Sequence, residues 1–171
     1  MTGIRLAKAS DAPSLAVLAE RTFRDTFGAR NSPENMDSHC ARFFGPEIQL
    51  REIGERGLVT TIAEADRRMI GFSQLRLSRA HASVAARRPA EVARLYVIAE
   101  WQGRGVARNL MQDALDTARR EGCDWLWLGV WEHNPKAMAF YRKFGLGIVG
   151  TNAFMLGQDR QRDLVMAVKL G

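Results

Sequence analysis

The chain has 171 residues, of which 46% are hydrophobic and 26% are charged, a composition typical of a soluble globular domain. This length predicts one domain, 1–171, with a core of its own. No apolar run approaches the ~20 residues that span a bilayer, and the first residues lack the apolar core of a signal peptide. Cys40 and Cys123 lie in no metal or redox spacing, which predicts reduced thiols, no metal site, no membrane partner and a cytoplasmic location.

The net charge of +6 is unevenly distributed along the chain. Residues 1–60 carry 8 basic and 8 acidic side chains, so residues 61–171 carry the whole excess. An anionic cofactor bound by this second part of the chain explains the excess. A nucleic acid is the alternative, but the chain has no Lys/Arg block with interleaved aromatic residues, and we expect no nucleic-acid partner.

The first third of the chain predicts a short strand followed by helices. The elements are a strand at 4–7, a helix from Ser10 to about Gly28, a helix from Ser32 to about Phe44, and a helical segment at 47–54. Ser10 and Ser32 are typical helix-start residues, each followed by a proline within the first turn. His39 is expected on the helix surface. Five carboxylates in the second helical region form either a solvated face or one wall of a site for a cationic substrate: Glu34, Asp37, Glu47, Glu52 and Glu55.

The rest of the chain alternates strands and helices. The elements are strands at 58–64 and 69–77, a basic and mobile loop at 78–90, a strand at 91–98, a helix at 106–121, a strand at 124–131, a helix from Asn134 to Gly145, and strands at 148–156 and 163–169. This order predicts a mixed α/β sheet in one domain. Simple alternation predicts that Glu91 shares a face with Leu95 and Val97, opposite Arg94 and Tyr96.

The most informative stretch is the loop Gln102–Ala107, between the strand at 91–98 and the helix at 106–121. Gly103 and Gly105 lie where the strand gives way to the helix, so unpaired main-chain N–H groups point outward at the helix start. Together with the positive end of the helix dipole, these groups predict a phosphate-binding site. The loop lacks the ending of a Walker A motif and the third glycine of a dinucleotide-binding motif, which indicates a pyrophosphate loop of another kind.

Two motifs in this half of the chain resemble those of the GCN5-related N-acetyltransferases. Gln102, Gly105 and Ala107 fill the defined places of that superfamily's Arg/Gln-x-x-Gly-x-Gly/Ala loop. Residues 134–145 are similar to its Asn-x-x-Ala-x-x-x-Tyr-x-x-x-Gly helix. With strands in the expected places, the resemblance covers nearly the whole chain.

The resemblance extends to a subgroup similar to bacterial spermine/spermidine acetyltransferases. The stretches that carry this finer likeness are 26–36, 127–132 and 154–167. It implies a polyamine-like acceptor.

The superfamily resemblance implies a mostly antiparallel mixed sheet, flanked by helices and splayed around its central strands. It implies acetyl-CoA as cosubstrate and no metal. The residues expected to bind acetyl-CoA are Tyr96, Val97, Ile98, Gln102, Gly103, Arg104, Gly105, Val106, Ala107, Arg108, Asn134 and Tyr141. The Val97 amide is the expected donor to the thioester carbonyl oxygen as that oxygen gains charge.

Direct attack of an amine on a thioester requires a proton donor for the thiolate and a proton acceptor for the amine. Tyr141 falls at the position of the family's general acid; a core aromatic with a hydrogen-bonded hydroxyl is the alternative. Glu91, at the spacing seen in histone-acetylating relatives, is the candidate base. A carboxylate on a core strand needs a reason, which is either catalysis or a salt bridge to Arg94 or Arg76. A water chain without a dedicated base also stays open.

The sequence leaves the acceptor amine undecided. The subgroup resemblance favours a polyamine-like acceptor, whereas four arginines favour an amino-acid-like acceptor with a carboxylate: Arg76, Arg79, Arg87 and Arg88. We expect a small-molecule amine as acceptor and a monomer or homodimer as the assembly. The alternative from another class is a non-catalytic acyl-CoA-binding module with the same fold.

Overall fold

The computed structural model describes residues 2–171 and contains seven strands and five α-helices in that range. In chain order these are β1 Thr2–Leu6, α1 Ala12–Phe27, α2 Pro33–Phe43, α3 Pro46–Gly54, β2 Leu58–Ala65, β3 Arg68–Leu77, β4 Pro89–Val97, α4 Val106–Arg120, β5 Trp125–Trp131, α5 Pro135–Arg142, β6 Gly147–Leu156 and β7 Asp159–Lys169. The predicted element order is confirmed. The last strand begins earlier than predicted, because Gly157 adopts a positive φ of 61° and allows a tight turn directly after β6.

The strands form one sheet in the order β1-β2-β3-β4-β5-β7-β6. Every neighbouring pair is antiparallel except β4 and β5, which run parallel. The predicted mixed, mostly antiparallel sheet is therefore confirmed. Within residues 2–171, no helix is long and apolar enough to cross a membrane.

The two central strands separate after a short paired stretch. β4 and β5 pair only at Pro89 with Trp125, Ala90 with Leu126 and Glu91 with Trp127. Both strands continue beyond these pairs, to Val97 and to Trp131, without pairing to each other. The predicted splay is confirmed, and we call this opening between β4 and β5 the cleft.

Helices cover both faces of the sheet. On one face, α4 contributes Asp113, which accepts a hydrogen bond from Thr61 of β2 at 2.9 Å. On the other face, α3 contributes Glu52, which accepts one from Gln74 of β3 at 3.1 Å. Gln74 pairs with Thr60, the neighbour of Thr61, and adjacent strand residues point to opposite faces. We call these the α4 face and the α3 face.

A β-bulge in β4 corrects the predicted alternation. Val92 pairs with Leu75 and Arg94 pairs with Gln74, so Ala93 is an extra residue without a partner on β3. Beyond the bulge the alternation shifts by one position. Glu91 therefore shares the α3 face with Arg94 and Tyr96, and the prediction that it lies on the face of Leu95 and Val97 was wrong.

His39 is a second correction, because the structure buries it. Only 6% of its surface is exposed. The ring stacks on Phe23 at 4.3 Å between centroids and contacts Phe43, Phe44 and Phe154. Burial lowers the pKa of His39 to about 4, helped by the charge of Arg94. The prediction of a surface residue failed because the aromatic rings around His39 come mostly from other elements, so the local sequence does not show them.

Candidate active site

The glycine loop has the conformation that an anion-binding loop requires. Gly103 and Gly105 have positive φ angles of 76° and 83°, which side chains with a Cβ disfavour. A Cβ at either position would meet nothing within 4 Å, so the space above both glycines is open. No side chain caps α4, and its first main-chain hydrogen bond runs from Asn109 N–H to the Gly105 carbonyl at 3.0 Å. The N–H groups of Val106, Ala107 and Arg108 are therefore available to a ligand.

Side chains fix this loop to both neighbouring elements. Gln102 donates from Nε2 to the Val97 carbonyl at 3.1 Å and accepts from Lys136 of α5 at 3.1 Å. The Arg104 guanidinium lies 5.2 Å from the centre of the Trp101 ring. Arg104, Lys136 and the exposed Arg108 add positive charge around the open helix start. The arrangement suits a phosphate or pyrophosphate group.

The free edge of β4 offers main-chain groups to the cleft. In an antiparallel pair, residues that do not bond to the partner strand point their N–H and C=O groups to the opposite side. Ile98 N–H bonds to the Ile70 carbonyl at 2.9 Å, so Val97 and Leu95 point theirs into the cleft. The Ile98 main chain, which we predicted to bind the cofactor, faces β3 instead, and its carbonyl accepts from Trp101 N–H at 3.0 Å. Sequence reasoning missed Leu95.

Asn134 and Tyr141 lie on α5, beside the cleft. Asn134 Oδ1 caps the helix by accepting from Ala137 N–H at 3.1 Å, which leaves its amide nitrogen without a partner in the described chain. Tyr141 packs against the core cluster formed by α4 and β5, and burial raises the pKa of its hydroxyl to about 12. That hydroxyl makes no hydrogen bond within residues 2–171, so the hydrogen-bonded core tyrosine considered above is not what the structure contains. At neutral pH it is a protonated donor with no partner.

Glu91 lies at the closed end of the cleft, where the pairing of β4 and β5 stops. Its nearest cation is Arg79, with 3.8 Å between the guanidinium Nε and a carboxylate oxygen. Burial raises the pKa of Glu91, while Arg79 and Arg76 act in the opposite direction. The salt bridge to Arg94 or Arg76, which was the alternative to catalysis, does not form, because Arg94 bonds to Glu52 at 2.7 Å and Arg76 bonds to Glu55 at 2.8 Å.

The loop 78–88 is docked on β5, although we expected it to be mobile. Trp127 donates from its indole nitrogen to the Arg79 carbonyl at 2.7 Å. The His81 ring lies 4.9 Å from the Trp127 ring, and Val84 is buried beside it. These contacts hold Arg79 next to Glu91.

A broad cavity of about 1000 Å³ opens at the far end of β5. The segment after α1, the end of β5 and the β6–β7 hairpin line it, with Arg30, Trp131, Glu132, Asn152, Arg160 and Arg162 among the lining residues. Arg162 pairs with Glu132 at 2.7 Å. Arg30 lies 6.0 Å above the Trp131 ring. Neither Arg30 nor Arg160 has a carboxylate partner among residues 2–171, so the cavity holds two unpaired cations.

Asp163 of β7 is a partly buried carboxylate that the sequence analysis did not select. Its cross-strand partners are Trp131 of β5 and Asn152 of β6, both of which line the cavity. Burial, followed by the charge of Glu132, raises the pKa of Asp163 to about 6. Its position within the last strand resembles that of any polar residue in an alternating pattern, so the local sequence carried no signal for it.

Comparison with known proteins identifies this architecture. The model of the acetyltransferase (GNAT) family matches residues 18–146, most of the chain. The chain belongs to this family. An uncharacterized N-acetyltransferase in the pepI 3' region of Lactobacillus delbrueckii subsp. lactis is 32% identical over 168 residues, covering 97% of both chains. An uncharacterized N-acetyltransferase of Mycobacterium bovis is also 32% identical, over 94% of this chain and 99% of that one.

Solved structures share the fold. The PaiA N-acetyltransferase from Thermoplasma acidophilum, in complex with coenzyme A, superposes with a TM-score of 0.80, at 23% identity and 99% coverage of both chains. As a GNAT enzyme, the chain is an N-acetyltransferase that uses acetyl-CoA as its acetyl donor. The open glycine loop and the free β4 edge of this structure fit that cosubstrate. Among residues 2–171, no group of His, Cys, Asp and Glu side chains forms a metal site.

Proposed function

We propose that this enzyme acetylates the primary amine of a small acceptor that also carries an anionic group, such as an amino acid. The observation that carries the choice of acceptor is the cavity with two unpaired guanidinium groups, Arg30 and Arg160. The pyrophosphate of acetyl-CoA is held by the N–H groups of residues 103–108. The pantetheine arm follows Leu95 and Val97 along the cleft and bonds to the free amide nitrogen of Asn134.

The reaction is a direct transfer. The amine nitrogen attacks the thioester carbonyl carbon, and the Val97 N–H stabilises the oxygen as it gains charge. The C–S bond breaks, and Tyr141 gives its proton to the departing thiolate. The proton lost by the amine passes to Glu91 through water, because Glu91 lies at the closed end of the cleft rather than beside Val97. The products are the acetamide and free coenzyme A.

The charges of the helices argue against a polyamine, although the subgroup resemblance favours one. Three of the carboxylates in the second helical region are neutralised by ion pairs: Asp37 with Arg24, Glu52 with Arg94, and Glu55 with Arg76. They do not form an open acidic wall. Because Arg30 and Arg160 lack such partners, an anion on the acceptor is the charge that the cavity can neutralise.

A panel of amines tests this proposal through the free thiol released from acetyl-CoA. We expect higher kcat/KM for amino acids and dipeptides with a free carboxylate than for their carboxamides and for spermidine. Equal rates with the carboxamides would reject the anionic acceptor. Binding of coenzyme A without thiol release from any amine would instead indicate the non-catalytic acyl-CoA-binding module.

A further inference from the structure

The carboxylate of Asp163 lacks a partner, although one of its two oxygen atoms is buried. Its Oδ1 atom is shielded from solvent and accepts no hydrogen bond, and no cation lies within ion-pair distance in the described chain. A buried polar atom without a partner costs free energy, and a buried charge costs more. A position of this kind persists when something outside the chain supplies the missing partner.

The surroundings of Asp163 point the carboxylate towards the cleft. An added Cβ on Gly129 of β5 would lie 3.1 Å from Asp163 Oδ2, so the carboxylate lies directly over that glycine. Gly129 belongs to the part of β5 that no longer pairs with β4. Across the cleft, the charge of Asp163 contributes to raising the pKa of the Tyr96 hydroxyl. The carboxylate is thus at the cleft, on the α3 face that Glu91 and Tyr96 share.

The charged groups around Asp163 supply no cation to it. Glu132 repels it, and the neighbouring Arg162 bonds to Glu132 at 2.7 Å. Tyr96 is neutral at physiological pH, because burial raises the pKa of its hydroxyl. A cation that enters the cleft from outside would supply the missing partner.

We propose that Asp163 binds the ammonium group of the acceptor and holds it at the cleft before transfer, a role that rests on the function proposed above. The two carboxylates then divide the work. Asp163 docks the acceptor in its charged form, and the ammonium then gives one proton to solvent to become the free amine. Glu91 takes up the second proton through water when this amine attacks the thioester. Together with Arg30 and Arg160, this gives the acceptor site one anionic and two cationic contacts, which match a zwitterion.

The test is the substitution Asp163→Asn, which keeps the shape and removes the charge. With n-propylamine as probe, which offers an ammonium group and no anion, we expect KM to rise about 10–100-fold, as for loss of a hydrogen bond to a charged group. We expect kcat within threefold of the unsubstituted enzyme and an unchanged Kd for coenzyme A. An unchanged KM would overturn the proposal.

The pH dependence separates docking from a structural role. Asp163 must be ionised to bind the ammonium group. The kcat/KM for n-propylamine should therefore fall below about pH 6, in addition to the fall that protonation of the amine causes. Asp163→Asn should lose this additional fall, whereas Glu91→Gln should keep it and instead lower kcat. The same additional fall in Asp163→Asn would show that another group titrates.

A second variant keeps the charge of Asp163 but displaces its carboxylate. Gly129→Ala places a methyl group against Oδ2 and should raise KM for n-propylamine in the same direction. Asp25→Asn, an exposed site on α1, is the charge-matched control and should change KM less than twofold. If the enzyme acetylates no amine, the proposed function fails, and calorimetry of n-propylamine with the coenzyme A complex then decides the docking role: equal affinity for the unsubstituted and Asp163→Asn proteins rejects it.

Discussion

The proposed cofactor side and the proposed acceptor side of the cleft offer different kinds of group to a ligand. On the cofactor side, the glycine loop and the β4 edge present main-chain N–H groups whose positions follow from the backbone. On the acceptor side, the groups are charged side chains: Asp163, Arg30 and Arg160. They come from distant parts of the chain, and Gln161, which donates to Asn31 at 2.5 Å, holds two of those parts together. The cofactor side can therefore serve any GNAT reaction, whereas the acceptor side selects the amine.

The strongest way to break the cofactor side alone is Gly105→Glu. The substitution forces a side chain onto a φ of 83° and places a negative charge at the helix start that we propose binds pyrophosphate. We expect coenzyme A affinity to fall more than about 100-fold, since charge-assisted contacts are lost and repulsion is added. Calorimetric titration with coenzyme A measures it.

The control for this variant is Gly3→Glu, the same change at an exposed strand glycine with nothing within 4 Å of its Cβ. It should leave the affinity unchanged. Near-normal binding of coenzyme A by Gly105→Glu would contradict the pyrophosphate site, and with it the whole placement of the cofactor.

The substitution Tyr141→Phe should slow acetyl transfer without weakening the binding of coenzyme A. The hydroxyl has no partner in the described chain, so its removal leaves packing intact and removes only the proposed proton donor. We expect kcat to fall about 100-fold or more, within the usual range for general acid catalysis. The Kd for coenzyme A and the melting temperature should stay the same, and a kcat within threefold of the unsubstituted enzyme would assign the thiolate proton to another group.

The contrast between the two sides also explains what the sequence could predict. Gly103, Gly105 and Asn134 are local signals, because a turn, a helix start and a cap are decided by a few adjacent residues. The order of the elements followed from local signals of this kind, and the splay followed from the resemblance. Those parts of the fold and the site were within reach before the structure was known.

The remaining features depend on contacts between distant residues. The bulge at Ala93 moved Glu91 to the other face, and periodicity alone carries no mark of an extra residue. Arg94 pairs with a carboxylate on α3, and Arg76 pairs with one directly after α3, so neither pairs with Glu91. Only the positions of Gly129 and Tyr96, which belong to two other strands, place the carboxylate of Asp163 at the cleft.

The substitution Arg160→Ala tests whether the acceptor side binds an anionic group. Arg160 lines the cavity without a carboxylate partner, so its loss should weaken an acceptor that carries an anion. We expect KM for the best amino acid of the panel to rise about 10-fold, the usual cost of losing one charge-assisted contact. KM for n-propylamine should not change.

The matched control is Arg56→Ala, which removes an exposed arginine at the turn before β2. It should leave KM for the amino acid and KM for n-propylamine unchanged. An equal rise of KM for the amino acid and for n-propylamine in Arg160→Ala would mean that the arginine shapes the cavity and does not bind the anion.

The smallest effect expected is on stability, and it comes from the unpaired carboxylate. Because the folded state raises the pKa of Asp163 to about 6 from the ordinary 3.8, folding favours its protonated form, and its ionisation destabilises the protein as pH rises through that interval. Asp163→Asn should therefore raise the melting temperature by about 2–6 °C at pH 7.5. This gain in melting temperature should shrink as the pH falls below 6 and vanish below 3.8.

A gain of equal size at every pH would assign the change to packing. A lower melting temperature at pH 7.5 would show that the carboxylate has a stabilising partner. We expect Asp163→Asn to be more stable than the unsubstituted enzyme and to bind the amine more weakly. This pattern would show that the charge of Asp163 favours ligand binding and lowers the stability of the fold.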